Sequence, residues 1–147
     1  MITLDRPVIV EGKYDKIRLS NIIDAQIIVT DGFGIFKNHE KAALLRALAR
    51  KTPLIVLTDP DGAGRLIRSH ISGILPKDKI ICLHIPKIEG KEKRKSEPSK
   101  EGTLGVEGME AQLIHDLLLH IGYFYRTTTL YPLSFTLTTY TPAAGTL

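Results

Sequence analysis

Short runs of apolar, mostly β-branched residues alternate along this chain with segments of helix length. The runs lie at residues 7–10 (PVIV), 26–29 (QIIV), 53–57 (PLIVL) and 79–84 (KIICLH). Runs that are apolar at nearly every position are typical of strands buried on both faces of a sheet. Parallel pairing of such strands requires long crossovers, which are usually helices. The alternation therefore predicts an α/β fold with an open, mainly parallel sheet of about four strands and helices on both faces.

The segments between these runs predict helices. They lie at residues 13–23, 38–50, 61–75 and 110–120. In the first helix, Tyr14, Ile17 and Ile22 can form one inward-facing stripe. The third helix should end before Pro76, because proline cannot continue a helix.

The composition divides the chain into one regular region and two irregular segments. Residues 1–121 carry the alternation and predict one domain, since 147 residues can bury a substantial core. Within this domain, residues 86–105 are charged and lack apolar periodicity, so they predict a basic exposed loop. Residues 122–147 are rich in Thr and Tyr and predict a strand-like or extended tail that is not a separate domain.

The composition also restricts the compartment. Cys82 is the only cysteine, so no internal disulfide can form, which fits a reducing environment. Cys82 lies in an apolar run, and we expect a buried structural thiol. Residues 1–10 do not resemble a signal peptide, and no apolar stretch reaches the roughly 20 residues that span a bilayer. We therefore expect a cytoplasmic protein without a membrane partner; its net charge of +4 is compatible with nucleic acid.

Carboxylates follow two of the predicted strands. Glu11 comes directly after the first strand, and Gly12 lets the chain turn behind it. Asp59 and Asp61 come after the third strand, with Pro60 stiffening the spacing between them. Ligands of open parallel sheets bind beyond the carboxyl ends of the strands. The three carboxylates should therefore lie at one edge of the sheet.

Clustered carboxylates repel one another, which suggests a cation between them. Two unit charges about 5 Å apart at an effective dielectric of about 20 repel by about 3 kcal/mol. Oxygen ligands without His or Cys favour Mg²⁺, with Mn²⁺ as an alternative. A lone DxD is more often a helix cap or a turn, but the strand-terminal Glu-Gly at the same edge favours a metal site.

Two motifs carry a resemblance to a known family. VIVEGKYDK at residues 8–16 and LIVLTDPDGAG at residues 54–64 are similar to the Toprim signature, a Glu-Gly after the first strand and a DxD after the third. The resemblance covers about residues 2–121. Toprim domains occur in topoisomerases, primases, repair and recombination proteins, and nucleases. The family pattern implies that Glu11 is the general acid/base and a member of the metal site, with Asp59 and Asp61 as metal ligands.

Within that family, several elements most resemble the ribonuclease M-five group, which matures the precursor of 5S ribosomal RNA. These elements are EGKYDK, TDGFGIF, TDPDGAG, the Lys-rich loop and LGVEGM. The resemblance implies a Mg²⁺-dependent endoribonuclease acting on structured RNA, with a ribosomal RNA precursor as substrate and a 5S-binding ribosomal protein as partner. Glu107, in LGVEG, is a candidate further ligand or, alternatively, a cap of the last helix. The second domain usual in that group is missing or reduced to residues 122–147, which bears on the 5S substrate.

Nine residues are candidates for contacting nucleic acid. They are Lys13, Gly32, Gly34, Arg65, Arg68, Lys91, Lys93, Arg94 and Lys95. The helix-borne cations should lie near the carboxylates, where they can hold a phosphate or pair with the acids themselves. The two glycines can admit a phosphate or form a tight turn. The loop cations can bind RNA backbone without sequence preference, or the loop can simply be solvated.

Two other functions compete with the ribonuclease interpretation. One is a noncatalytic RNA-binding module, which the intact Glu and DxD disfavour and the missing second domain favours. The other is a Toprim nuclease acting on DNA. Primases and recombination mediators normally carry zinc elements, and a single cysteine excludes a Cys-rich zinc site.

Overall fold

A four-stranded parallel sheet forms the centre of the molecule. The computed structural model describes residues 1–31, 39–59, 61–83, 85, 96–97 and 106–127, with side chains described as far as His120. The strands are β1 (Ile2–Thr3), β2 (Val8–Val10), β3 (Ile23–Asp24), β4 (Ile27–Val29), β5 (Leu54–Leu57) and β6 (Ile80–Leu83). The main sheet has the order β4-β2-β5-β6, and every pair in it is parallel. The predicted α/β fold with a parallel sheet of four strands is confirmed.

The two central strands are buried at every position, which explains their uninterrupted apolar sequence. β2 and β5 have no exposed residue. In their register Ile9 lies beside Val56, and on the other side of β2 Val10 lies beside Val29. The carboxyl ends of β4, β2 and β5 therefore meet at one edge of the sheet.

Helices cover both faces of this sheet. They are α1 (Lys13–Ser20), α2 (His39–Lys51), α3 (Gly62–Ile74) and α4 (Ala111–Thr127). Successive strand side chains point to opposite faces, so Val10 and Leu57 join a core cluster with residues of α1 and α4, such as Leu19 and Leu118. Ile9 and Val56 join a second cluster with residues of α2 and α3.

Two features of the fold were not predicted. β1 and β3 form a separate parallel pair of two residues each, too short to produce a recognisable apolar run. The last helix continues to Thr127, beyond the predicted end at His120 and across the predicted boundary at residue 121. Gly122 and the Thr-rich segment after it suggested an end, but these residues only weaken a helix and do not forbid it.

The predicted inward stripe of α1 is wrong. Tyr14 is 38% exposed and Ile17 is 58% exposed. The buried positions of the helix are Asp15 and Leu19, which are four residues apart and therefore lie on one face. Ile22 is buried, but it comes after the end of the helix. An acidic residue occupies the position where the apolar pattern required a hydrophobic one.

Most of the predicted basic loop and tail lies outside the described residues. These parts are residues 86–95, 98–105 and 128–147. Cys82 is half-buried, packs against the core cluster of α2 and α3, and its thiol pKa is raised by burial. In the described ranges, every helix is too short or too polar to cross a bilayer.

Candidate active site

Glu11 is held at the edge of the sheet through its main chain. It directly follows β2, and the neighbouring residue on the β4 side is Thr30, which is fully buried. The Thr30 hydroxyl donates to the Glu11 carbonyl oxygen at 3.1 Å, and the Thr30 N–H donates to the Val10 carbonyl at 2.9 Å. The Glu11 side chain is half-buried, and its Oε2 atom is shielded from solvent. These two bonds therefore fix the main chain from which the Glu11 side chain extends.

Asp59 and Asp61 follow the adjacent strand, β5, at the same edge. Asp59 Oδ1 accepts a hydrogen bond from the Val106 N–H at 2.8 Å. Asp61 is the N-cap of α3, and its Oδ1 accepts from the Gly64 N–H at 2.8 Å. The cap interpretation of the DxD is thus correct for Asp61. Each of these bonds uses one of two carboxylate oxygens, so capping and metal binding do not exclude each other.

The first turn of α3 is pressed against the main chain of Asp59. A Cβ atom added to Gly64 would lie 2.0 Å from the Asp59 carbonyl oxygen and 3.0 Å from its carbon. Real Cβ atoms do not approach backbone this closely, so only glycine fits here. Gly64 therefore fixes the distance between the helix and the DxD turn.

Asp15 is a site residue that the sequence did not reveal. It is 8% exposed, and its Oδ2 accepts from the Gly12 N–H at 3.0 Å. Burial raises its pKa to about 6, helped by the negative charges of Asp59 and Glu107 and opposed by hydrogen bonds from the Gly12 and Glu107 backbone. Both Asp59 and Glu107 therefore lie close enough for their charges to act on Asp15. The available signal was weak, because an Asp in the first turn of a helix is ordinary.

Glu107 lies in a 3₁₀ turn formed by Val106–Gly108, called here the Val106 turn. Besides the bond from Val106 to Asp59, α1 holds this segment through Arg18, whose Nη2 donates to the Met109 carbonyl at 2.9 Å. Glu107 precedes the start of α4 by four residues, so its alternative role as the cap of that helix is wrong. The Val106 turn instead brings Glu107 close to Asp15. Both lie beside the sheet edge that carries Glu11, Asp59 and Asp61, called here the acidic edge.

The predicted nucleic-acid contacts divide into three groups. Lys13 and Arg65 are exposed on the first turns of α1 and α3, and Lys13 Nζ lies 5.1 Å from the centroid of the Tyr14 ring. Arg68 is half-buried, and its Nη1 donates to Thr58 Oγ1 at 2.6 Å and to the Asp59 carbonyl at 3.2 Å. Outside the described residues lie Gly32, Gly34, Lys91, Lys93, Arg94 and Lys95.

The acidic edge suits a hard cation by its chemistry. Among the described residues, no three Asp, Glu, His or Cys side chains converge to form a ready-made metal cage. Mg²⁺ usually keeps several waters and takes only one or two carboxylates from the protein. Asp59 and Asp61 after β5 and Glu11 after β2 are oxygen donors of that kind, of which one or two would bind the ion directly. The residues therefore fit a water-rich Mg²⁺ site better than a dedicated cage.

Comparison with known proteins agrees with this arrangement. The model of the Toprim domain matches residues 6–88, more than half of the chain. A small TOPRIM domain protein from Bacillus stearothermophilus has the same fold, with a TM-score of 0.55 over 82% of this chain and 91% of that one, at 21% identity. This likeness concerns the fold alone.

Several curated relatives have a higher identity to this chain. Ribonuclease M5 of Mycoplasma pneumoniae is 37% identical over 76 residues, which are 52% of this chain and 42% of the relative. Ribonuclease M5 of Fusobacterium nucleatum is 34% identical over 100 residues, which are 68% of this chain and 49% of the relative. The chain thus spans about half the length of the curated relatives it matches.

The predicted likeness to the ribonuclease M-five group is confirmed by these relatives. The matched family model contains β2 with Glu11 and β5 with Asp59 and Asp61, the strands whose ends form the acidic edge. This chain belongs to the Toprim domain family.

Proposed function

We propose that this chain is a Mg²⁺-dependent endoribonuclease that hydrolyses phosphodiester bonds in structured RNA. The observation that carries the proposal is the meeting of Glu11 with the Asp59-x-Asp61 pair at the carboxyl ends of two adjacent parallel strands. The relatives named ribonuclease M5 support RNA over DNA as the substrate. By the same likeness, we propose a ribosomal RNA precursor as the substrate, a 5S-binding ribosomal protein as the partner and the cytoplasm as the location.

Each acidic residue has a distinct role in this proposal. Asp59 and Asp61 would hold the cation, with Glu11 and Glu107 beside it. A bound Mg²⁺ supplies an activated water and neutralises charge on the phosphate. Glu11 moves the proton, and the bond from Thr30 to its carbonyl keeps its main chain in place. The bond from Val106 keeps the Asp59 carboxylate turned to the same edge.

The exposed cations near the carboxylates are proposed phosphate contacts. Lys13 and Arg65 lie in the first turns of the helices that follow Glu11 and Asp61, so both lie beside the acidic edge. We include Gly32 and Gly34 as a place for close backbone approach. Lys91, Lys93, Arg94 and Lys95 are proposed to bind RNA backbone; replacing the last three with Ala should flatten the salt dependence of RNA binding.

A second candidate function is a noncatalytic RNA-binding module. Asp59 and Asp61 each accept a hydrogen bond from a backbone N–H, which is a structural task that would preserve them without chemistry.

One experiment separates these functions. The chain is incubated with a structured ribosomal RNA precursor and with a DNA of similar length, each in Mg²⁺ and in EDTA, beside Glu11→Gln as the control. We expect RNA cleavage only with Mg²⁺ and only by the wild type. RNA binding without cleavage would favour the module, and cleavage of DNA alone would favour a DNA nuclease.

A further inference from the structure

Arg68 contacts the main chain at the start of the DxD turn, and one of its guanidinium nitrogens makes two hydrogen bonds within the protein. From the second turn of α3, its Nη1 donates to the hydroxyl of Thr58 at 2.6 Å and to the carbonyl oxygen of Asp59 at 3.2 Å. Thr58 is 1% exposed. The Arg68 guanidinium is hydrogen-bonded to a buried hydroxyl and to a main-chain carbonyl, so it stabilises the protein interior. Arg65, three residues earlier, is exposed instead.

The Asp59 peptide is therefore held from three directions. Arg68 binds its carbonyl, Gly64 packs against that carbonyl with no room for a Cβ, and Val106 donates to its carboxylate. Two of these three contacts come from α3. The position of the Asp59 side chain is thus tied to the helix through its own main chain.

The electrostatic environment of Arg68 is consistent with this role. Burial lowers the pKa of the guanidinium, and the charges of Asp61 and Asp59 act in the opposite direction. Arginine stays charged through such shifts. Its positive charge therefore lies permanently close to the two aspartates.

We propose that Arg68 is a positioning residue that holds the Thr58–Asp59 main chain, so that the Asp59 carboxylate faces the metal position, and that Arg68 is not a primary phosphate contact. The inference rests on the proposed function for the metal position. Whether Arg68 holds the Asp59 main chain in place can, however, be tested without metal. Residues that support a metal ligand commonly change metal affinity 10- to 100-fold when they are lost.

The first test measures amide hydrogen exchange of Val106 in EDTA. When Arg68→Gln releases the Asp59 main chain, the carboxylate should move and its bond to Val106 should open more often. The amide should then exchange about tenfold faster, the effect of losing one ordinary hydrogen bond. Thr58→Val removes the other partner of Nη1 with little change of shape. The double variant should exchange no faster than Arg68→Gln, because both changes break one unit.

The second test measures Mn²⁺ affinity by calorimetry, with RNA affinity against salt in EDTA as a companion. Arg68→Gln should weaken Mn²⁺ binding about tenfold and leave the salt slope of RNA binding unchanged. The matched control is Arg65→Gln on the exposed side of the same helix. It should leave Mn²⁺ binding and Val106 exchange unchanged but lower the salt slope by about one phosphate contact.

The outcomes decide clearly between the roles. Unchanged Val106 exchange and Mn²⁺ affinity in Arg68→Gln, together with a reduced salt slope, would overturn the proposal and make Arg68 a phosphate contact. If Arg68→Gln does not fold, Arg68→Lys and Thr58→Val carry the same measurements. A wild type that binds no Mn²⁺ would contradict the proposed function, while Val106 exchange would still decide the role of Arg68.

Discussion

The strands β4 and β5 are followed by the same two residues, but the aspartates of the two pairs lie in different environments. β4 is followed by Thr30-Asp31 and β5 by Thr58-Asp59. Both threonines are buried, and the strands lie on either side of β2. Glu11 therefore has a Thr-Asp pair at the end of each neighbouring strand.

The aspartates differ in the groups that pack against them. Asp31 is exposed, adopts a left-handed φ of 54°, and pairs with Lys41 of α2 at 2.5 Å. Asp59 is half-buried, and it is held by Gly64, Arg68 and the Val106 N–H. Among the described residues, the same dipeptide after a strand thus takes part in a surface ion pair at the end of β4 and in contacts with α3 and the Val106 turn at the end of β5. The feature that distinguishes the second end is the close packing of α3 on the Asp59 main chain.

The largest effect is expected at the residue between these two ends. Glu11→Gln should reduce single-turnover RNA cleavage by roughly 10²–10⁴-fold, the usual contribution of a positioned acid or base. Metal and RNA binding should persist, since the amide has nearly the same shape. Full activity across a Mg²⁺ titration would remove Glu11 from the chemistry.

The close packing of α3 on Asp59 can be broken without touching a polar group. Gly64→Ala places a Cβ 2.0 Å from a backbone oxygen and should destabilise the protein by about 3 kcal/mol, the upper range for overpacking. Gly73→Ala in the same helix is the control, because its Cβ would meet nothing within 4 Å. That change should stabilise by up to about 1 kcal/mol, as alanine does in a helix. Urea unfolding curves compare the two, and equal effects would contradict the close approach.

The burial of Asp15, together with the nearby charges of Asp59 and Glu107, predicts a dependence of stability on pH. The Asp15 pKa is raised from 3.8 to about 6, so between these values the folded state binds more protons than the unfolded state. The free energy of unfolding of the metal-free protein should therefore fall as pH rises through this window. Asp15→Asn should remove that slope and gain on the order of 3 kcal/mol at pH 8, but little near pH 4.

Thermal or urea unfolding in EDTA at both pH values tests this prediction. Exposed Asp31→Asn is the control, and it should leave the slope in place. A variant less stable than the wild type at pH 8 would show that the Asp15 charge is favourable even without metal.

The smallest effect compares the two aspartates directly. Asp59→Asn keeps an acceptor for Val106 but loses its charge, so metal affinity should fall about tenfold and raised Mg²⁺ should partly restore cleavage. Asp31→Asn should change metal affinity and RNA cleavage by no more than about twofold, because Asn tolerates the left-handed conformation. Equal losses in both variants would place the metal between the two strand ends.

The sequence predicted the sheet edge well because burial controls it. Strands buried on both faces must be apolar throughout, so β2 and β5 were visible, and the residues directly after them had to share an edge. Asp15 was hidden for the opposite reason. It is a polar residue on a buried helix face, and only the packing of α1 against the Val106 turn shows that it faces Asp59 and Glu107.

The function of Arg68 was equally beyond sequence reasoning. On a helix beside a candidate active site, an arginine can reach outward to phosphate or inward to the main chain, and both choices have the same sequence. The inward choice depends on Thr58, a buried hydroxyl ten residues earlier. The threonines that anchor both strand ends were also missed, since a Thr after an apolar strand is common.

The bond from Val106 to Asp59 has a mechanical consequence for the chain between Ile85 and Val106. Both flanking residues are buried in the same core cluster, so core packing holds the two ends of this segment. Doubling the length of a flexible connecting segment raises the free energy of closing it by only about 0.6 kcal/mol. Insertions within residues 86–105 should therefore be tolerated by the fold, whereas tension applied at Val106 reaches a candidate metal ligand directly.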